Sequence, residues 1–536
     1  MNHNNEIRIG ILCSGMTMPA WHARCIRHLL AQPDIQVMVL GVPIQGVPSH
    51  EGSTHGSLRS RILALLCPDA EAQEDLSELL NTLPVVAIRG ESPDANELRN
   101  LEGHGANVLL SFLPGRIPPP GTPSPVIWQF DLHGSGLAGD GFPEHTGWML
   151  EDDTACLRLW GSDGTAVSTT YRTSLHNGRL DVQGMLQASA WLPIQMHRAR
   201  LGQWKAPVEE TADPTRRKEG LFDLFRQWLR LELRPNREVP GRTARIGEWN
   251  LGIYPHPIST LLSDTHNTNV RWLSSPSPGS QRTEPFGYRT PDGQLSVLYR
   301  KSGELNSNDS IARVRPRNDG ILKRSRNMLS TVHALGYPYT VERPDGVYVV
   351  VSYPHQDRIE LFRVAENNES LDHVGTLLER ALMNPTCVEH AGGWWLFGTD
   401  MEEPDTVLRA YHAPQLHGPY QPHALNPVRV AGSGCRSAGT FFIHDGYLWR
   451  PSVDNTDPRG PEVIFNRINV LDTERFHEEP MHTFAGFPGT NYPNGIRTVC
   501  ALGKITLIDG LRPTQVGREV DIEERRTVRK AKAYTE

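Results

Sequence analysis

Two sets of polar side chains in this 536-residue chain stand where chemistry would be expected. The first is the segment Trp128–His133, in which Gln129, Asp131 and His133 bring an amide, a carboxylate and an imidazole to one short stretch. The second is a recurring set: Glu284, Tyr337, Asn384, Ser437 with its neighbour Arg436, and Asn491. Each member precedes a turn glycine, at 293, 346, 392, 446 and 503, and successive glycines are 53, 46, 54 and 57 residues apart. If these positions converge on one axis, polar and aromatic groups surround a common pocket. That lining suits a carbohydrate-like or small polar ligand through hydrogen bonds and ring stacking. The structural alternatives are that the Trp128–His133 groups are polar residues at a strand end, and that Glu284 caps backbone NH groups or pairs with Arg436.

Composition narrows the partners. A net charge of −7 over this length carries no basic stripe for nucleic acid or an anionic membrane. With 48 glycines and 42 prolines the chain is turn-rich but below the roughly 25–30% that accompanies disorder. The seven cysteines lie far apart and form no CxxC, so neither a disulfide framework nor a metal site is expected. The start, MNHNNEIRIGILCSG, lacks the basic and apolar regions of a signal peptide. No run approaches the ~18 apolar residues that span a bilayer. A cytoplasmic setting is expected.

The elements that must position the first set alternate. Apolar strands are predicted at Ile7–Cys13, Ile35–Val42, Pro84–Ile88 and Asn107–Leu113, with helices over 19–32, 57–66, 72–82 and 94–103. Continuous apolar strands between helices indicate a doubly wound parallel sheet of α/β class. No GxGxxG or GxxxxGK[ST] follows the first strand, which excludes a standard dinucleotide or phosphate loop. Ligands in such sheets sit beyond the carboxyl ends of the strands, here Ser14–Met18, Ser111–Arg116 and Trp128–His133.

This arrangement, with VLLSFLPGRIPPP, the strand VIWQFDLHG and the later LRLWGSDG, resembles the folate-dependent formyltransferase domain. The resemblance implies 10-formyltetrahydrofolate as donor. It also implies an Asn-x-His pair that stabilises an oxyanion and moves protons, with an Asp orienting the His. Asp163 of SDGTA matches the Asp plainly. Gln129 stands for the Asn, and Asp131 occupies the place of the His. Only His133, at the next inward-facing position, could supply the imidazole.

Beyond a Pro-, Glu- and Arg-rich connection and an amphipathic stretch at 219–233, the second half repeats a unit of about fifty residues. Each unit has a strand start, an Asp-Gly or Gly turn, and a strand rich in aromatic and β-branched residues, such as VYVVVSY, WWLFGT and YLWRPS. Asp-Gly between apolar runs is a hairpin signal. Units of this length with three or four short strands are propeller blades. The domains expected are an α/β domain over 1–180, a helical connection over 181–243, an all-β five-bladed propeller over 244–514 and a charged tail over 515–536.

The propeller resembles family-43 glycosidases. Through GYPYTVERPDGVYVVVSYP, NPTCVEHAGGWWLFGT, HGPYQPHALNPV and GYLWRP it is more closely similar to the N-terminal propeller of plant glucosamine inositolphosphorylceramide transferases. Hydrolysis of the family-43 kind needs three acids from different blades. Glu284 stands at the first, Asn384 at the third-blade acid, and Arg436-Ser437 where a fourth-blade carboxylate would be. Asp454 and Asp509 are the remaining acids, both read as loop or turn residues. Two functions follow. One is a biosynthetic transferase that uses a divergent formyltransferase-like site while the propeller holds the acceptor. The other is a non-catalytic glycan-binding protein built from two degenerate enzyme folds.

Overall fold

The computed structural model describes residues 6–43, 73–89, 93–113, 125–132, 154–172, 174–176, 179–181, 183–202, 247–264, 267–277, 279–303, 309–316, 325–331, 333, 335–455 and 460–513. His133, the stretches 57–66 and 219–233, and the tail from 515 lie outside them. The chain divides into two units, Met1–Pro235 and Asn236–Glu536.

In the first unit the apolar runs become β1 (Ile7–Leu12), β2 (Ile35–Pro43), β3 (Val85–Ile88), β4 (Val108–Ser111) and β5 (Val126–Leu132). β6 (Thr154–Gly161) and β7 (Ala166–Arg172) complete a seven-stranded sheet ordered β3-β2-β1-β4-β5-β6-β7. Pairing is parallel as far as β5 and antiparallel beyond it. The two faces are covered by different helices. α2 (Ala95–Gly103) buries Leu98 and Leu101 with Leu12, Leu109 and Ile127 on one face. On the other, Trp21 of α1 (Ala20–Leu30) meets Phe112 and Phe130 edge-on. Gly10 is small for packing and not for a phosphate, since a Cβ there would lie 2.6 Å from Leu109 Cδ2. The sheet therefore carries helices on both faces, and neither its order nor its packing marks it as a formyltransferase fold.

One local expectation is corrected. The segment 72–82 holds a three-residue strand, Gln73–Asp75, before the short helix Ser77–Leu80. The helical connection expected over 181–243 opens as two helices, α3 (Gln183–Ser189) and α4 (Leu192–Arg200). The break falls at Ala190-Trp191, and Pro193 then occupies the first turn of α4, a position where its missing NH costs nothing.

Among its described residues the second unit contains five antiparallel sheets, the blades of a five-bladed β-propeller. Blades I to IV are consecutive in sequence, and their inner strands or strand pairs begin at Gln281, Tyr339, Leu382 and Phe442. Blade V is composite. Ile505–Pro513 pairs on one side with Val499–Leu502 and on the other with Gly247–Tyr254, along a register from Gly247↔Pro513 to Tyr254↔Thr506. All five turn glycines lie at the hairpin that joins the first two strands of a blade, Gly346 as the first residue of the second strand. In blade IV both turn residues, Asp445 (φ 50) and Gly446 (φ 78), are left-handed, as a tight hairpin requires. Val349, Val350 and Val351 are fully buried because each face of a middle strand packs against a neighbouring blade. That is why the blade strands read as continuous apolar runs and not as alternation.

Candidate functional site at the propeller axis

Blade starts in this chain share an unusual backbone. Glu284 (φ 58), Tyr337 (φ 51) and Asn384 (φ 51) are left-handed non-glycine residues at corresponding places in blades I, II and III, each followed by proline. In blades I and III the strand register slips here, between Thr283 and Phe286 and between Met383 and Thr386. A bulge of this kind re-aims side chains, and the left-handed conformation costs a non-glycine residue about 1–2 kcal/mol. The surrounding hydrogen bonds hold it in place.

Those bonds pass from blade to blade. Asp509 of blade V accepts from the backbone NH of Glu284 (3.0 Å), Arg497 (2.9 Å) and Thr498 (2.9 Å). The Glu284 carboxylate accepts from Tyr337 NH at 2.6 Å and faces Arg300 at 3.4 Å. The Tyr337 hydroxyl lies 3.1 Å from Thr386 Oγ1 and accepts from Gly439 NH at 2.9 Å. Asn384 donates to Ser437 O at 2.7 Å and accepts from Arg436 Nη2 at 3.3 Å. The expected positions 284, 337, 384, 436 and 437 are thus brought together. Glu284 pairs with Arg300, not with Arg436, and both it and Asp509 are engaged by backbone NH groups.

Asn491 is a correction. It is exposed on the bend before the inner strand of blade V. Extra residues through Pro493 and the left-handed Gly495 (φ 63) displace the count, and Arg497 and Thr498 take the places opposite Ser437 and Ala438. Arg497 lies 4.5 Å over the Trp249 ring. Its pKa is lowered by burial and then by Arg436, with Asp509 and Glu284 opposing. Burial raises the pKa of Asp509 against its three NH donors. Glu284 first, and Asp309 with it, raise that of Arg300. Arg300 and Arg497 were missed in the sequence because neither sits at a strand start. The only available signal for Arg497 was its place just before the apolar run of the fifth copy.

In the first unit the strand register places Gln129, Asp131 and Asp163, while His133 lies outside the described residues. Gln129 is buried and pairs in register with Ser111 and Trp160. Asp131 stands opposite Arg158. Asp163, by contrast, belongs to the turn after Gly161, whose partner is Trp128. At roughly 3.3 Å per residue, about 10 Å of strand separates that end from Asp131. Asp163 is used by its own turn, where it accepts from Thr165 NH at 3.1 Å, and Arg200 lies 3.6 Å away. A different group does reach the carboxyl end of β4. His22 is buried beside Trp21 and Phe112, its Nε2 has no partner, and burial lowers its pKa to about 3. It is a neutral imidazole in an aromatic cluster. Among the described residues no three His, Cys, Asp or Glu side chains gather as metal ligands, and no helix is long and apolar enough to cross a membrane.

Fold and site define a five-bladed propeller with a polar, arginine-bearing axis. Residues 272–500 match the family model described as glucosamine inositolphosphorylceramide transferase 1, N-terminal. The glucosamine inositolphosphorylceramide transferase 1 of Arabidopsis thaliana is 22% identical over 278 residues, covering 47% of this chain and 36% of that protein. Its counterpart from Oryza sativa subsp. japonica is 26% identical over 171 residues, covering 30% and 23%. The chain matches about a third or less of the length of these relatives. Among solved structures, a family 117 glycoside hydrolase from Zobellia galactanivorans aligns with 49% of this chain and 90% of its own at 11% identity and a TM-score of 0.32, a likeness that carries no functional argument.

Proposed function

We propose that the chain acts in carbohydrate-linked biosynthesis as a transferase whose propeller holds a carbohydrate-like or small polar acceptor at its axis. The observation that carries this reading is the convergence of Glu284, Tyr337, Asn384, Arg436, Ser437 and Arg497 from successive blades. The match of 272–500 to the N-terminal region of sugar transferases supports it. The first unit supplies no comparable support for formyl transfer, since Asp163 stands at the wrong end of its strand and His133 lies outside the described residues.

A second reading, a non-catalytic glycan-binding protein, is favoured by one specific observation. The two axial carboxylates, Glu284 and Asp509, already accept backbone NH groups, which commits both to holding the blade starts. Thermal shift of the full chain against free sugars, nucleotide sugars and folates tests the shared part of both readings. Sugars or nucleotide sugars should raise the melting temperature, and Asn384→Ala should abolish that rise while folates give none. Stabilisation by folates alone would return the function to the first unit. Turnover of a nucleotide sugar then separates transferase from binding protein.

A further inference from the structure

Adjacent segments of blades IV and V run side by side at the axis. Gly439 and Val499 form a parallel bridge, Val499 NH donates to Ala438 O at 2.7 Å, and Thr440 NH donates to Val499 O at 3.1 Å. That register sets Ser437 opposite Arg497 and Ala438 opposite Thr498, with Arg436 next along the same segment and near enough to Arg497 to oppose its charge. Neither arginine makes an ion pair within 4.0 Å among the described residues. The nearby carboxylates are committed elsewhere, Glu284 to Arg300 and Tyr337 NH, Asp309 to Arg300, and Asp509 to three backbone NH groups. The Nε of Arg436 is buried without a partner, and so are the hydroxyls of Ser437 and Thr498 on the same two segments. Arg497, crowded by its neighbours and resting on Trp249, still keeps part of its surface open to solvent.

From this we infer that Arg436 and Arg497 form an oxyanion site for a sugar-like ligand that carries a phosphate or carboxylate beside its hydroxyl groups. Two adjacent guanidinium groups repel one another, and a shared anion removes that cost while filling their donors. Guanidinium forks match phosphate and carboxylate oxygens two at a time, with bonds roughly twice as strong as neutral ones. Asn384, already bonded to Arg436, fixes the guanidinium that would face the anion. This inference rests on the axial pocket being the binding site proposed above, and adds the charge of what it takes.

The test uses the full chain and calorimetric titration with glucose, glucose 1-phosphate, glucuronate and inorganic phosphate. Glucose 1-phosphate or glucuronate should bind at least about tenfold more tightly than glucose, and which of the two is favoured identifies the oxyanion. Inorganic phosphate should compete with the bound sugar. Arg436→Gln and Arg497→Gln should each weaken binding of the anionic sugar about ten- to hundredfold, the range for losing charge-assisted bonds. The loss for the anionic sugar should exceed the loss for glucose at least about tenfold, and Arg475→Gln, on an exposed pair with Asp472, should have no effect. If either glutamine variant melts early, Arg497→Lys, which keeps the charge but loses the fork, should still show an intermediate loss. Equal binding of charged and neutral sugars, or unchanged binding of the anionic sugar in both variants, overturns the inference. Glucose binding alone would leave the axial carbohydrate reading standing, whereas anion binding without any sugar preference would remove that reading and keep the oxyanion pair.

Discussion

Glu284 illustrates how one side chain divides between support and recognition. Its carboxylate accepts Tyr337 NH, which ties blade I to blade II, and it faces Arg300, which also holds Asp309. Glu284→Gln keeps an oxygen for the NH and loses the charge, so chemical denaturation should register a loss of about 1–3 kcal/mol. Glu284→Ala, which strands the buried NH as well, should cost more. Unchanged stability in both variants would mean that the residue serves ligand alone. The position of Glu284 was legible in the sequence, because Glu-Pro, Tyr-Pro and Asn-Pro recur ahead of turn glycines. Its partner was not. Arg300 lies sixteen residues on, in the neighbouring strand, and only the bulged register decides which arginine faces it. Asp163 shows the same limit, since a motif match carries no information about which end of a strand it reaches.

At the scale of the element, blade IV holds a buried charged group that no sequence pattern announced. Glu478 is almost fully buried and bonds Arg450, itself fully buried, at 2.6 Å and Arg429 at 2.7 Å. Burial pushes the carboxyl pKa up, but Arg450 and Arg429 outweigh it and hold it below its ordinary value of 4.5. A depressed folded pKa means that the unfolded chain binds the proton more readily. The stabilisation is therefore complete above about pH 4.5 and is lost as pH falls through the folded pKa. Urea titrations between pH 7 and 3 should show that decline, and Glu478→Gln should flatten the part this carboxyl contributes. At pH 7 the same variant should be less stable by roughly 3–5 kcal/mol, because the arginines keep their buried charge. The hairpins themselves were plain in the sequence from Asp-Gly and the aromatic runs. Charged side chains meet across strands whose pairing the sequence does not print, so the triad was not. The helical connection expected over 181–243 shows the converse, since its opening is divided ahead of the proline that starts a second helix.

The whole propeller depends on its closure. Blade V joins Gly247–Tyr254 to Ile505–Pro513 through eight paired positions, and Tyr492 reinforces the seam by accepting from Asn250 Nδ2 at 3.0 Å. A fragment spanning 240–514 should unfold in one β-dominated transition by circular dichroism and calorimetry. The same fragment ended at Lys504 should lose that transition, since the missing strand is the middle of the composite blade. Survival of a cooperative transition would mean that four blades suffice. The count of blades was legible in the sequence; the composite fifth was not, because its first strand lies ahead of the repeat and carries no turn glycine.

The seam also sets a clock for the protein's manufacture. Residues that touch across it, such as Thr506 and His256, are 250 positions apart. A ribosome adding 5–20 residues per second needs roughly 10–50 s to deliver the second after the first. Throughout that interval the strand beginning at Gly247 has been made and its partner has not, so an unpaired strand edge waits in a crowded cell. The nascent chain therefore has a defined window in which chaperones, or its own copies, compete for the edge that the last strand finally covers.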